Sequence, residues 1–236
     1  MTTKDTRRAA GPDFTHVRTW VFDLDNTLYP SDCNLFAQIE ARMGEFIARR
    51  LDLTADEAHA LRQRFYREHG TTLSGLMKVH RIEPHDFLDF VHDIDLAPLV
   101  PNAALDAILA ALPGRKVIFT NGSARHAENV AARVGVLHHF DAIFDIAASN
   151  FVPKPAEAPY DALIAATGCA PQQAAMFDDI SRNLIAARAR GMTTVWIRTA
   201  ADWSAGTLDA HDHVDHVCDD LTEFLQTIET VPAKGE

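Results

Sequence analysis

The chain has 236 residues and a formal charge of −11, with 47% hydrophobic and 23% charged residues. Those proportions describe a globular protein with room for one large or two modest domains. The acidic balance argues against a general nucleic-acid binder, and three cysteines without CxxC spacing (Cys33, Cys169, Cys218) point to a reducing compartment and no disulfide framework.

Met1–Thr15 lacks the apolar core of a signal peptide, and no apolar run approaches the ~20 residues that cross a bilayer. A cytoplasmic protein with no membrane partner is expected. Residues 1–16, containing Lys4, Arg7, Arg8, Gly11 and Pro12, read as a loose leader. A short apolar strand over about Arg18–Phe22 runs into Asp23-Leu24-Asp25-Asn26. After Pro30 the spacing turns helical: Leu35, Phe36, Ile39, Met43, Phe46 and Ile47 share a face, with Ser31 or Asp32 as N-cap. Thr54-Ala55-Asp56-Glu57 is a capping box that opens a second helix, and Gly70 stops it. Shorter helices at about 73–79 and 84–92 complete the block. Four helices in succession break the strand–helix alternation, so residues 31–99 read as a helical cap inserted into a core made of 17–30 and 100–236.

Alternation begins after Pro101. Helix 103–112, strand 116–119, helix 124–134, strand 142–146, helix 158–166, strand 174–177, helix 183–189 and strand 194–197 follow in order, with Ser123 capping its helix and Gly135 and Gly191 ending theirs. His213–Cys218 reads as a last edge strand, 221–228 as a closing helix, and 232–236 as a frayed tail. The fold class is α/β: a doubly wound, Rossmann-like parallel sheet core with an inserted all-helical cap.

In such a sheet ligands bind outside the carboxyl ends of the strands. The first strand ends in Asp23 and Asp25, the second in Thr120, the fourth in Asp178-Asp179, and Lys154 lies in the loop after the third. Each has a plain alternative: a polar turn for Asp23–Asn26 and Thr120, a solvated loop cation for Lys154, a helix cap for Asp178-Asp179. Their coincidence on one sheet edge favours a site. Acids gathered there repel one another unless a cation sits between them, and a hard dication with oxygen ligands, Mg²⁺, resolves the repulsion.

Four segments in this order, Asp23-Leu24-Asp25-Asn26-Thr27, Thr120-Asn121-Gly122, Lys154-Pro155 and Asp178-Asp179, resemble the motifs of the haloacid dehalogenase superfamily of phosphotransferases. Leu28-Tyr29-Pro30 and Gly70-Thr71-Thr72-Leu73 are similar to its pyrimidine 5′-nucleotidase branch. The resemblance implies a Mg²⁺-dependent phosphomonoester hydrolase of small phosphorylated metabolites, most of all nucleoside 5′-monophosphates. It implies Asp23 as the nucleophile that becomes an aspartyl-phosphate and Asp25 as acid and base. Mg²⁺ would be held by Asp23, Asp179 and the Asp25 carbonyl, with Asp178 bound directly or through water. Thr120, Lys154 and the amides of Asn121 and Gly122 would hold the phosphoryl oxygens. Thr27 would orient the Asp25 loop. From the cap, Thr71, Thr72, Met77 and His80, with Tyr29, are candidates for substrate contact, against core packing for the aromatic and Met positions.

Other phosphatases and phosphomutases of sugar phosphates share these motifs. A 2-haloacid dehalogenase uses the same nucleophile but has no use for Asp25 or the second acid pair, and a phospho-receiver carries its acid pair on the first strand. In His211-Asp212-His213-Val214-Asp215-His216, His and Asp at alternate positions could ligate Zn²⁺ on one strand face, although an edge strand with polar residues outward explains them, and His138-His139 reads as a loop. Oligomeric state is left open.

Overall fold

Thr19-Trp20-Val21-Phe22 is buried along its whole length, which a strand can be only where both faces of its sheet are covered. The computed structural model describes residues 11–199 and 211–230; the first ten residues of the expected leader and the expected tail, 232–236, lie outside them. Six strands, β1 (Thr19–Phe22), β2 (Arg115–Phe119), β3 (Ala142–Phe144), β4 (Ala174–Asp178), β5 (Thr193–Ile197) and β6 (His216–Cys218), form one sheet in the order β3-β2-β1-β4-β5-β6. Every pair is parallel. That order turns round between β1 and β4, and a crevice opens at such a switch point.

Side chains alternate across the sheet as the strand period requires. Trp20, Phe22, Ile118 and Phe177 enter one apolar layer beneath α5 (Ala103–Ala111), α6 (Ala124–Val134) and α9 (Leu221–Leu225). Val21, Val117, Phe119 and Met176 enter the other, beneath α7 (Glu157–Thr167) and α8 (Leu184–Ala189). Between β1 and α5 lie α1 (Leu35–Leu51), α2 (Ala55–His69), α3 (Thr72–His80) and α4 (Pro84–Val91), which share an apolar cluster of their own containing Ile39, Ile47, Phe65, Leu76 and Phe87. The capping box at Thr54 and Glu57 is formed, and Gly70, Ser123 and Gly135 end or cap their helices as the sequence indicates. None of the helices among the described residues is long and apolar enough to cross a membrane.

Three expectations are corrected. Residues 11–16 are not loose: Phe14 is fully buried, its ring 5.9 Å from those of Trp20 and Phe224, and Phe14 N–H and the Pro12 carbonyl bond Glu229. One aromatic flanked by Asp13 and Thr15 makes no period, which is why it reads as leader. Neither Ser31 nor Asp32 caps α1; they form a single 3₁₀ turn, and Asn34 in the left-handed region (φ 55°) redirects the chain into the helix. The last strand starts at His216 rather than His213.

Gly75 sets the spacing of α2 and α3. A Cβ there would lie 2.3–2.7 Å from the Cβ and ring of Phe65. Gly75→Ala should therefore destabilise the protein by about 1–3 kcal/mol through overpacking. Urea denaturation checks this, and an unchanged midpoint would contradict the close approach.

Candidate active site

Register places the first two acids side by side. Phe22 pairs with Phe177, so the residues that follow them, Asp23 and Asp178, emerge together at the carboxyl edge. Phe22 pairs with Ile118 on its other side, which brings the turn after β2 to the same edge.

Lys154 closes this group. Its ammonium donates to Asp23 Oδ1 (2.7 Å), Asp178 Oδ2 (2.7 Å) and the Phe119 carbonyl (2.9 Å), and the residue is only 2% exposed. Burial pulls its pKa down, but Asp178 and Asp23 outweigh that and raise it, so it stays charged. The Lys154 backbone is clasped by Asn121, whose Oδ1 accepts from Lys154 N (2.8 Å) and whose Nδ2 donates to Lys154 O (3.2 Å). Asp178 is tied further: its Oδ1 accepts from Ile180 N and Asn183 Nδ2, both at 2.9 Å.

Asp179 completes the cluster. Asp23, Asp178 and Asp179, all buried, bring carboxylate oxygens within 4.8 Å of one another. One ammonium against three carboxylates leaves two negative charges uncompensated. The titration of the acids reflects this. Burial first, then Asp178 and Asp25, push Asp23 up to about 7 in spite of Lys154. Burial, Asp23 and Asp178 push Asp179 well above the carboxylate range against Lys154 and a hydrogen bond from Asn26. An all-oxygen donor set with that charge deficit fits a hard dication.

Thr120 is 2% exposed, and its Oγ1 accepts from Gly122 N at 2.9 Å, leaving its own O–H to donate. The Gly122 amide, expected to cradle a phosphoryl group, is thus spent on Thr120. A Cβ at Gly122 would sit 3.2 Å from Thr120 Oγ1 and 3.4 Å from His126, so glycine here answers a close approach. Thr27 closes the Asp25 turn through its backbone N–H on the Leu24 carbonyl (3.2 Å), while its hydroxyl is buried without a hydrogen-bond partner.

Asp25 is held by residues that sequence reasoning did not assign to it. Its Oδ1 accepts from Tyr29 O–H (2.7 Å) and from His126 Nε2 (2.8 Å). Burial raises the Asp25 pKa, but the adjoining His126 ring and both hydrogen bonds outweigh it and hold the carboxyl below its usual range. The His126 ring stacks on His92 with centroids 4.2 Å apart and planes 8° from parallel, and His92 Nδ1 lies 2.9 Å from Ser123 Oγ. Burial, then His126, push His92 down to about 3. Tyr29, a candidate for substrate contact, is 3% exposed and serves Asp25 instead.

A cavity of about 670 Å³ separates the sheet edge from the helical insert. Asp23, Asp25, Thr120, Asn121, Lys154 and Asp179 line its floor. The insert contributes an apolar wall with Phe36, Ile39 and Phe87, and a polar one with Arg62, Gln63, Tyr66 and Arg67. Thr71 and Thr72 line it too, Thr71 while also capping α3. His80 and Met77 are not brought to it; His80 is exposed at the end of α3 against Phe65, and Met77 packs on the insert's apolar cluster.

The histidine-rich segments lie elsewhere. His213 bonds the Ser181 carbonyl, His211 stacks on Trp196 and His216 packs on Phe14, so the three do not converge. His138 and His139 form a short turn in which both Nε2 atoms lie on Asp106 Oδ1, at 3.2 and 2.7 Å, and these bonds account for the juxtaposition.

Phosphate metabolism protein 8 of Saccharomyces cerevisiae is 28% identical over 138 residues, a match that spans 53% of this chain and less than half (42%) of that protein. Among solved structures, a HAD phosphatase from Thermococcus onnurineus matches with TM-score 0.60 at 18% identity, over 89% of this chain and 97% of that one. The HAD hydrolase YfnB from Bacillus subtilis bound to magnesium gives 0.58 at 18%, and L-2-haloacid dehalogenase from Xanthobacter autotrophicus with covalently bound chloropropionic acid 0.54 at 16%, each with the same coverage. At those identities the likeness shows the fold. The family model for haloacid dehalogenase-like hydrolases matches residues 17–191, some three quarters of the chain and all four strand-end segments, and the protein belongs to that family.

Proposed function

We propose that the protein is a Mg²⁺-dependent phosphomonoester hydrolase acting through Asp23, with nucleoside 5′-monophosphates as its preferred substrates. The observation that carries this reading is the buried Asp23–Asp178–Asp179 cluster, two charges short of neutral, beside an Asp25 held by two donors. Displacing halide from a haloacid calls for neither feature, which disfavours the dehalogenase reading despite the shared fold.

Asp23, Asp179 and the Asp25 carbonyl would hold the dication, with Asp178 fixed behind them by Lys154, Ile180 and Asn183. When bound, it supplies the positive charge that lets an anionic phosphate ester approach a carboxylate. An Asp23 oxygen attacks phosphorus, the ester P–O bond breaks, and its electron pair leaves on the alkoxide. Asp25 delivers a proton to that oxygen; since it is ionised at rest, the proton enters with the ester monoanion. Asp25 then takes a proton from water, whose oxygen attacks phosphorus and returns Asp23 as carboxylate. The Thr120 O–H and the Asn121 backbone N–H are available to donate to phosphoryl oxygens, whereas the Asn121 side chain is taken by the Lys154 backbone. Lys154, whose three N–H donors are already taken by Asp23, Asp178 and the Phe119 carbonyl, reaches them only by giving up one of those bonds. The cavity volume suits a small metabolite, and its mixed apolar and hydrogen-bonding walls suit a nucleobase.

The test is phosphate release from a panel of nucleoside monophosphates and sugar phosphates, with Mg²⁺ and with EDTA, alongside halide release from a 2-haloacid. Mg²⁺-dependent hydrolysis led by UMP and CMP is expected. Equal turnover of all esters would remove the nucleotide preference and leave the hydrolase. Phosphate transfer to a sugar acceptor would indicate a mutase, and EDTA-resistant halide release a dehalogenase.

A further inference from the structure

We infer that His126 is the positioning residue that aims Asp25 at the reacting oxygens, and that His92, from the helical insert, locks His126 in place so that proton transfer depends on the insert being seated. The inference rests on the acid–base role proposed for Asp25.

The geometry leaves few alternatives for these rings. Asp25 Oδ1 takes both the Tyr29 O–H and the His126 N–H, so Oδ2 is the oxygen left for chemistry, and Asp25 lines the cavity. The His126 side chain is 1% exposed and packed where it can make one polar contact with the site. It stands in the first turn of α6, behind the Ser123 cap, so the strand-end turn that supplies Thr120 also fixes the His126 backbone. His92 is the residue that ends α4, and it crosses from the insert to the core: its ring covers the His126 face and its Nδ1 meets the hydroxyl of Ser123. Ser123 Oγ also accepts the His126 backbone amide, at 3.3 Å, while bonded to His92 Nδ1. One serine therefore ties the His92 ring to the backbone of His126. If the insert lifts from the sheet edge, His92 leaves with it, and His126 loses the stacked face that prevents its rotation. A catalytic group misplaced by about 1 Å costs on the order of 10²-fold in rate, which sets the scale of the effect.

The test compares kcat/KM for two esters, because that ratio covers the steps through departure of the leaving group. p-Nitrophenolate departs without a proton, whereas the 5′-alkoxide of UMP requires one. In His126→Ala, kcat/KM for UMP should fall about 10²-fold while that for p-nitrophenyl phosphate changes severalfold at most. Asp25→Asn should show the same asymmetry more strongly. His126→Gln, whose amide nitrogen can occupy the Nε2 position, should recover most of the UMP activity. His92→Ala should reproduce the asymmetry at about tenfold with its own melting temperature as the control for folding, and equal losses on both esters in that variant would overturn the lock by His92. Equal losses on both esters in His126→Ala, or no recovery in His126→Gln at unchanged melting temperature, would overturn the positioning role and leave the hydrolase reading standing. Wild-type turnover of UMP by Asp25→Asn would overturn both together.

Discussion

Asp23→Asn should reduce phosphatase kcat by ~10⁴-fold or more, with the melting temperature unchanged or raised. The two halves of that expectation come from the same environment. Burial first, then the neighbouring Asp178 and Asp25, push the Asp23 carboxyl up to about 7 against the one ammonium it shares with Asp178. An amide keeps the shape, removes one of the repelling charges and is a far poorer nucleophile. Loss of activity therefore cannot be ascribed to loss of fold. Steady-state kinetics with differential scanning fluorimetry reads both halves; an active variant, or one inactive only because it is unfolded, would contradict the assignment.

Lys154→Met has the opposite signature, since it removes the cluster's one cation. Breaking a buried pair by deleting one partner costs about 3–5 kcal/mol, because the remaining charge is left uncompensated. Here Asp23 and Asp178 each lose a 2.7 Å bond and the Phe119 carbonyl loses its donor. The sign of the pH dependence follows. A carboxyl whose folded pKa is raised contributes stability below its unfolded pKa and loses it as pH rises through the folded value, so the deficit of Lys154→Met should be larger near pH 7.5 than near pH 5. Urea midpoints at the two pH values test it. Equal midpoints for variant and parent near pH 7.5 would mean that Lys154 is not the counter-charge of this site.

The strand ends were legible because their signals are local. Val21 and Phe22 before Asp23, and Met176 and Phe177 before Asp178, are apolar runs that stop at acids, and parallel topology does the rest. What stayed hidden depends on partners far apart in the chain. His126 bonds a carboxylate 101 residues away, and its own neighbourhood shows only a histidine in the first turn of a helix behind a capping serine. That turn position, pointing toward the sheet, was the available signal. His92 ends a helix and reveals its role only when the insert is docked. Gly122 and Thr120 were legible as site residues but not in their mutual bond, since a turn's hydrogen bonding is settled by a few degrees of backbone. Phe14 was missed for want of any period around it, although it is fully buried against Trp20.

The most direct measurement is rapid-quench trapping in acid followed by peptide mass spectrometry of enzyme mixed with Mg²⁺ and a phosphomonoester. A phosphoryl group on the peptide carrying Asp23, rising before steady state and absent in Asp23→Asn, is the predicted result. Sustained phosphate release with no covalent adduct, or an adduct on any other residue, would contradict it.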